Sequence, residues 1–238
     1  MITVSLISHN HCNILKENIL FLLSCKHISK VILTINTPEF IPNFLISKKI
    51  LIIRNPKPKG FGTNHNYAFK FCKTNFFCIL NPDINITSFN FAHLLTHLYK
   101  KNIAVVSPLI KNGKYFDAVR KKITIQDLFN RFLKKNNSIN YSNKNLPSSY
   151  WIIGAFMLFK SSVFKELNGF DEKYFLYCED ADLCHRISLK GYNILVDNSV
   201  LVDHLASRAS KRSFFYFMIH FLSLVRYFSN YGFFNEKL

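Results

Sequence analysis

Acidic residues are scarce in this chain of 238 residues. It has 14 aspartates and glutamates against 31 lysines and arginines, which gives a formal net charge of +17 at pH 7. A surface this basic favours partners that carry phosphate, such as nucleic acid, anionic lipid or a phosphorylated substrate. A lysine-rich, solvated surface without such a partner explains the charge equally well, so the charge alone does not decide between them.

Several features that define other protein classes are also missing. No two of the six cysteines have CxxC spacing, so we expect free thiols in a reducing cytoplasm. The first ten residues lack a basic segment followed by an apolar core, so we expect no signal peptide. No uncharged apolar run reaches about 18 residues, the length needed to span a bilayer. Walker, GxGxxG and EF-hand loops are absent as well.

Apolar, β-prone runs alternate with helical patterns in the first half of the chain. The predicted strands are residues 2–7, 31–35, 49–54, 76–80 and 103–107, and the predicted helices are 14–23 with Asn13 as N-cap, one from about Thr63, and 88–100. This alternation indicates an α/β fold with a mostly parallel sheet. Ligands bind at the carboxyl ends of the strands in such sheets. The polar residues expected there are Asn10, Asn36, Arg54 and Asp83.

The second half of the chain is less regular. Residues 111–149 are basic and asparagine-rich, and we interpret them as an insertion or loop with one short helix at 125–133. Further on, we predict a helix at 179–189 closed by Gly191, strands at 192–196 and 200–202, and an amphipathic, phenylalanine-rich tail helix within 211–234. A hydrophobic content of 49% supports one domain, residues 1–210, followed by a tail, 211–238.

Three loops carry weaker chemical signals. Lys57, Lys59, Gly60 and Gly62 precede a helix and could surround a phosphate, although such a loop is more often only a turn. Asp83 follows a buried strand, where it could reach a ligand or a divalent cation, or simply form a turn. After His204, which could be structural, Arg208 could neutralise a diphosphate leaving group.

The acidic residues cluster in one segment. Asp171, Glu172, Glu179, Asp180 and Asp182 fall within twelve positions. Asp171 and Glu172 are expected to shape a turn, and Asp182 to stabilise the first turn of the helix that follows. The helix dipole is expected to keep Asp180 ionised, so that it could accept a proton from a sugar hydroxyl.

The order of these motifs along the chain resembles the family-2 glycosyltransferases of GT-A fold, in particular bacterial rhamnosyltransferases. The resemblance rests on Asn-Pro-Asp at 81–83, Gly-Ala-Phe-Met at 154–157, the segment from Gly169 to Arg186 (GFDEKYFLYCEDADLCHR), and the later His204. It covers about residues 2–210. It implies a Rossmann-like, three-layer GT-A fold and inverting transfer of a sugar, with rhamnose as a candidate, from a nucleotide-diphosphate donor.

The resemblance also implies roles for individual residues. Asp180 corresponds to the general base, with Glu179 as the other candidate, and Asp83 and His204 correspond to ligands of Mg²⁺ or Mn²⁺. Donor binding is expected of Asn10, Asn36, Arg54, Gly60, Asn66, Asn81, Asp83 and Arg208, and the acceptor pocket is expected at Trp151, Gly154 and Ala155, with Trp151 as a stacking platform. Two positions depart from the family pattern: Asn81 replaces the first metal-motif Asp, and Asn36-Thr37 replaces Asp-Asn.

The resemblance implies a glycan or lipid-linked oligosaccharide as acceptor, in the synthesis of O-antigen or capsule at the cytoplasmic face of the inner membrane. The basic segment and the phenylalanine-rich tail suit that place, but the tail could equally pack on the domain or in a dimer. A nucleotidyltransferase would need a glycine-rich signature that residues 8–11 lack. A nucleic-acid-binding protein is disfavoured because the aromatic residues lie in apolar runs.

Overall fold

The computed structural model describes residues 1–86, 89–113, 115–116, 118–124, 145–204 and 214–232. The strands are β1 Ile2–Ser8, β2 Ile28–Ile35, β3 Ile50–Arg54, β4 Phe76–Leu80, β5 Ile84–Asn85, β6 Ile103–Asn112, β7 Tyr115–Phe116, β8 Val119–Lys121, β9 Tyr150–Ile152, β10 Phe156–Lys160 and β11 Asn193–His204. The α-helices are α1 Lys16–Ser24, α2 Phe61–Phe69, α3 Phe91–Leu98, α4 Ser161–Glu166, α5 Glu179–Leu189 and α6 Phe214–Tyr231.

The main sheet has the strand order β3-β2-β1-β4-β10-β6-β11-β5, with β7 also paired to β6. Strands β3, β2, β1 and β4 are parallel neighbours, and β6 and β11 form another parallel pair. A separate two-stranded sheet pairs β8 with β9. The predicted α/β fold with a mostly parallel sheet is confirmed.

Strand β10 was not predicted, although it lies in the middle of the sheet. It runs antiparallel between β4 and β6. Its first four residues are fully buried. They are all apolar because the strand is covered on both faces. Such a short run does not distinguish a strand from a buried helical turn, because its periodicity is hidden when both faces are apolar.

Several element boundaries differ from the predicted ones. Asn13 lies inside a 3-10 turn, Cys12–Ile14, and α1 begins at Lys16 without a side-chain cap, so the predicted N-cap is wrong. Helix α2 starts two residues before Thr63. The two strands predicted at 192–196 and 200–202 are one strand, β11 (Asn193–His204), whose register with β6 is irregular between Asp197 and Leu201. The predicted helix at 125–133 lies outside the described residues.

Helix α5 has the predicted limits, and Gly191 follows it with a φ of +76°, the left-handed conformation that commonly ends a helix. All six cysteines are free, as predicted. Helix α6 lies within the predicted tail and buries Ser223, Tyr227 and Phe228. No helix in the described part of the chain has both the length and the hydropathy to cross a bilayer.

Candidate active site

The predicted polar residues do lie along one edge of the sheet. Strands β1, β2, β3 and β4 are parallel and in register, so the residues that follow them meet at their carboxyl ends. Asn10 follows β1 in an exposed position with a φ of +65°, and Arg54 is exposed at the end of β3. The fold therefore brings these side chains to the edge where a donor would bind, while their individual roles stay predictions.

Asn36 forms hydrogen bonds within the protein rather than projecting freely from this edge. Its side-chain oxygen accepts hydrogen bonds from the Lys59 amide (2.9 Å), from Asn55 Nδ2 (2.9 Å) and from Asn64 Nδ2 (3.0 Å). Its own Nδ2 donates to the Lys59 carbonyl at 3.0 Å. Each such bond contributes about 0.5–1.5 kcal/mol. This arrangement supports a role in fixing the loop between β3 and α2, not the predicted contact with a nucleotide base.

Glu39 was not recognised in the sequence, yet it shapes the loop after β1. Its carboxylate accepts hydrogen bonds from the backbone amides of Asn10 (3.2 Å) and Cys12 (3.0 Å). These bonds tie the β1 loop to the loop after β2. The only sequence signal was an acidic residue in a chain that has few of them.

Gly60 and Asn66 join the β3–α2 region to the acidic segment. A Cβ atom on Gly60 would come within 2.7 Å of the Phe175 carbonyl oxygen, so only glycine fits there. The Asn66 side chain donates to the Phe170 carbonyl at 2.9 Å and accepts from its amide at 2.9 Å, and it also donates to Glu172. The contacts of both residues support structural roles rather than the predicted donor binding.

Asp83 and His204 meet as predicted. His204 Nε2 lies 3.3 Å from Asp83 Oδ2, at the point where β11 pairs with β5. Burial acts to raise the pKa of Asp83, but the hydrogen bond and charge of His204, with a smaller contribution from His11, hold that pKa below its usual value. Asp83 Oδ1 and His204 Nδ1 are both buried without a hydrogen-bond partner. An ionised carboxylate with an orphaned oxygen beside an imidazole fits a divalent cation.

Asp180 is fixed at the start of α5 by backbone amides. Its Oδ2 accepts from the Gly154 amide at 2.8 Å, and its Oδ1 accepts from the Ala181 amide at 2.8 Å. Burial raises the pKa of Asp180 to about 6, which corrects the expectation that the helix dipole would lower it. Desolvation therefore outweighs the amide hydrogen bonds and the charge of Arg120. The carboxylate is still mostly ionised at pH 7, with a pKa suited to accepting a proton.

Glu179 is buried beside Asp180, and its pKa is raised as well. Its Oε2 has no hydrogen-bond partner, and burial together with the neighbouring Asp180 charge raises its pKa well above the usual value. Desolvation thus raises the pKa of both acids. The role of Asp180 as the base, with Glu179 as the other candidate, stays a prediction.

The segment Gly154–Ala155 connects the two acidic centres. The Gly154 amide donates to Asp180, while the Ala155 carbonyl accepts from the Asn81 backbone amide at 2.8 Å.

Residues 34–167 match the family model described as "Glycosyl transferase family 2". The chain belongs to glycosyl transferase family 2. Its position in that family agrees with the α/β fold and the two acidic centres described above.

Individual relatives agree with this assignment. The glycosyltransferase is 30% identical over 184 residues to the rhamnosyltransferase WbbL of Escherichia coli (strain K12). The aligned region covers 71% of this chain and 69% of WbbL. It is also 37% identical over 57 residues to N-acetylglucosaminyl-diphospho-decaprenol L-rhamnosyltransferase of Mycobacterium tuberculosis (strain ATCC 25618 / H37Rv), covering 24% of this chain and 19% of that protein.

Solved structures support the GT-A fold. The mannosyltransferase PcManGT from Pyrobaculum calidifontis, in complex with GDP-Man and Mn²⁺, has a TM-score of 0.66 at 13% identity, over 100% of this chain and 65% of that chain. GalNAc-T7 with UDP, GalNAc and Mn²⁺ has a TM-score of 0.67 at 13% identity, over 96% of this chain and 47% of that chain. The chain therefore spans less than two thirds of either solved chain, and at this identity the likeness concerns the fold alone.

Trp151 is not placed as a sugar platform in this glycosyltransferase. Its side chain is only 6% exposed, its Nε1 donates to the Lys121 carbonyl at 3.1 Å, and the Arg120 guanidinium lies 5.7 Å from the ring centre. The indole therefore holds β9 against β8, and the predicted stacking role is not supported. Arg208 lies outside the described residues, so its predicted contact with a diphosphate stays a prediction.

The tail helix α6 packs on the acidic segment of the enzyme. Arg226 pairs with Asp171 at 2.6 Å, and Tyr231 donates a hydrogen bond to Asp182 at 2.7 Å. Asp182 is also bonded to Arg186, one turn further along α5. Arg226 and Tyr231 were missed as partners because each lies about 50 residues from the acid that it contacts. Arg186 was missed because Asp182 was interpreted only through its position in the first turn of the helix.

Proposed function

We propose that this glycosyltransferase transfers a sugar, with L-rhamnose as the leading candidate, from a nucleotide-diphosphate donor with inversion at the anomeric carbon. The observation that carries the proposal is the bridge formed by Gly154 and Ala155. It joins the loop of Asp83, a candidate donor and metal residue, to Asp180, a candidate base. The two relatives named as rhamnosyltransferases support the choice of sugar.

Asp180 would act as the general base. Its pKa of about 6 leaves it ionised at neutral pH, yet close enough to 7 for efficient proton transfer from an acceptor hydroxyl. The two amide hydrogen bonds fix the orientation of the carboxylate before the acceptor binds. As the new glycosidic bond forms, the hydroxyl proton passes to Asp180 and the bond to the nucleoside diphosphate breaks.

Asp83 and His204 would hold Mg²⁺ or Mn²⁺, since each has a buried polar atom without a hydrogen-bond partner, Asp83 Oδ1 and His204 Nδ1. When bound, the ion supplies positive charge beside the leaving diphosphate. Asn81 offers a neutral amide where the family pattern has an acid, so Asp83 carries the negative charge of this pair. The backbone N–H of Asn81, not its side chain, donates to the Ala155 carbonyl.

A donor screen tests this proposal. The full chain is incubated with UDP-, dTDP- and GDP-sugars, with and without Mn²⁺, and thermal stabilisation is measured. The release of nucleoside diphosphate that accompanies sugar transfer to an added acceptor is measured as well. We expect one nucleotide class to stabilise the protein, and Mn²⁺ to strengthen its binding. Asp83→Asn should abolish the Mn²⁺ effect, whereas Glu17→Gln, an exposed residue of α1, should not. Stabilisation by no nucleotide sugar would contradict the proposal.

We further propose that the acceptor is a glycan or lipid-linked oligosaccharide of a bacterial surface polysaccharide, reached at the cytoplasmic face of the inner membrane. The support is the outer face of α6. Its exposed apolar side chains include Phe214 (78%), Phe215 (65%), Phe217 (57%), Phe221 (51%) and Leu222 (61%). An apolar helix face on a protein of charge +17 suits the surface of an anionic membrane.

The membrane proposal can be tested without disturbing the inner face of α6. Phe217→Ser with Phe221→Ser should reduce flotation with liposomes that contain anionic lipid, while leaving the unfolding temperature unchanged. Leu20→Ser, at a half-exposed position of α1, is the matched control. Unchanged flotation of the double variant would exclude this face as the anchor, and loss of dimers in the same variant would assign the face to self-association.

A further inference from the structure

Three side chains from α3 and β11 converge on one carboxylate oxygen. His97 Nε2 lies 2.9 Å and His93 Nε2 lies 3.3 Å from Asp197 Oδ2. One potential ligand atom from each of the three residues lies within 4.8 Å of the other two. We propose that this His93–His97–Asp197 cluster is a second metal site, which takes a divalent transition-metal ion of the zinc class.

The local structure explains why these side chains meet. His93 and His97 are four residues apart on α3, so they project from the same face of the helix. Asp197 lies where the register between β11 and β6 becomes irregular. There the backbone amide and the hydroxyl of Ser199 both donate to Asp197 Oδ1, at 2.9 and 2.6 Å. These two bonds fix the carboxylate with Oδ2 towards the two histidines.

The donor set and its spacing suit zinc. Two imidazoles and one carboxylate are ligands of catalytic-type zinc sites, where water completes the coordination. Tetrahedral ligands about 2.0–2.1 Å from the ion lie about 3.3 Å from one another, close to the two separations measured here. Ser199 Oγ lies 2.8 Å from His93 Nε2, and the ion would take the place of that contact. The His93 side chain is half exposed, so it can rotate and leave room for water.

The electrostatics are also suitable. The Asp197 side chain is completely buried. A divalent ion at this position would meet one carboxylate and two imidazoles. Without an ion, the same residues would form a hydrogen-bonded His–Asp–His cluster, which is the competing explanation.

This cluster is separate from the Asp83–His204 pair. In the register of β11 against β6, Asp197 pairs with Pro108 and Asp203 pairs with Lys111. Pro108 and Lys111 are three positions apart on β6, which is about 10 Å. Asp197 is therefore about 10 Å from Asp203, the residue before His204. An ion at Asp197 would join α3 to β11, so we infer a stabilising role for it and no contact with the leaving group.

The test is metal binding by the chelator-treated full chain in the absence of nucleotide. We expect the wild type to bind one equivalent of Co²⁺, with visible absorption typical of low coordination numbers, and to show a higher unfolding temperature with Zn²⁺. His93→Gln should weaken binding by at least the roughly 10- to 100-fold that loss of an outer-shell partner causes. Because His93 is half exposed, this variant should fold normally, which near-ultraviolet circular dichroism can confirm.

Two control variants make the outcome decisive. His27→Gln changes a partly exposed histidine outside the cluster, and His204→Gln changes the proposed donor-side ligand; both should keep the Co²⁺ spectrum. The proposal is overturned if the wild type binds no Co²⁺, or if His93→Gln binds it as well as His27→Gln does. A thiolate-to-cobalt charge-transfer band would also overturn it, because the ligands would then be cysteines.

Discussion

The carboxylates on the two sides of helix α5 have different surroundings. On the side that faces Gly154, Glu179 is buried and Asp180 is partly buried. Desolvation there outweighs the favourable contacts, including the charge of Arg120 on Asp180, so the pKa of both acids is raised. On the side that faces α6, Asp182 is buried and is bonded to Arg186 and Tyr231. Helix position alone does not distinguish the three acids, since all lie in the first turn.

The difference shows how burial can serve either reactivity or stability. A buried carboxylate with a cationic partner stays charged and holds two elements together. A carboxylate whose desolvation outweighs its favourable contacts has a raised pKa, which makes it a better proton acceptor at the expense of stability. The predictions below test whether the Asp180 side is reactive and the Asp182 side structural.

The largest effect is expected from Asp180→Asn. An amide cannot accept the acceptor proton, so the rate constant for transfer should fall by about 10²–10⁴-fold. Single-turnover transfer with saturating donor measures this directly, and donor binding should be unchanged. Glu17→Gln makes the same chemical change at an exposed position and should retain full activity. A variant Asp180→Asn that is folded and transfers sugar within a few-fold of wild type would refute the assignment of the base.

Asp182→Asn should mainly lower stability. Removing one partner of a buried ion pair typically costs 3–5 kcal/mol, but Arg186 keeps hydrogen bonds to the Leu167 and Gly169 carbonyls, so we expect about 2–3 kcal/mol. Urea denaturation measures the loss. Glu166→Gln breaks the exposed pair with Lys190 and should cost less than about 1 kcal/mol. A loss for Asp182→Asn no greater than this control would mean that the α6 side is not structural.

Part of this contrast could be predicted from the sequence. The limits of α5 and the strands β1 to β4 follow from local patterns of apolar residues, and parallel topology then brings Asn10, Arg54 and Asp83 to one edge. The pairing of Asp83 with His204 was predicted from the order of motifs in the family. These features depend on short-range signals or on resemblance.

The rest depends on contacts between distant parts of the chain. The sequence pattern of residues 156–160 does not reveal that they enter the sheet between β4 and β6. The pKa of Asp180 was predicted to be low because only the helix dipole was considered, whereas desolvation by the assembled fold determines its direction. Likewise, Asn36 and Trp151 looked like ligand-binding residues because their internal partners could not be known before the fold was.

The stability of the Asp180 side should depend on pH. The folded-state pKa of about 6 lies above the ordinary value of 3.8, so the folded protein binds this proton more tightly than the unfolded chain does. The stability cost of ionising Asp180 is therefore absent below about pH 4, grows as pH rises to 6, and is complete above it. At 1.36 kcal/mol per unit, its upper limit is about 3 kcal/mol.

Asp180→Asn removes that cost, so its free energy of unfolding should exceed that of the wild type at pH 8, and the excess should disappear towards pH 4. Urea denaturation of both proteins across this range is the measurement. An excess that stays constant with pH would mean that the folded-state pKa of Asp180 is not raised. Asp180 and Asp182 would then not differ in their electrostatic surroundings in the way described above.

The smallest effect is expected from Tyr231→Phe, which removes one hydroxyl from the α6 side. The hydroxyl donates at 2.7 Å to Asp182, which keeps its bonds to Arg186, so the loss should be about 0.5–1.5 kcal/mol. Tyr216→Phe, near the start of the same helix, is the matched control and should change stability less. If Tyr231→Phe also slows sugar transfer while Tyr216→Phe does not, the tail helix helps to position the start of α5, and the two sides of the helix are coupled. If only stability changes, Asp180 is held by its own amide hydrogen bonds, and the separation of the reactive side from the structural side holds even within a single helical turn.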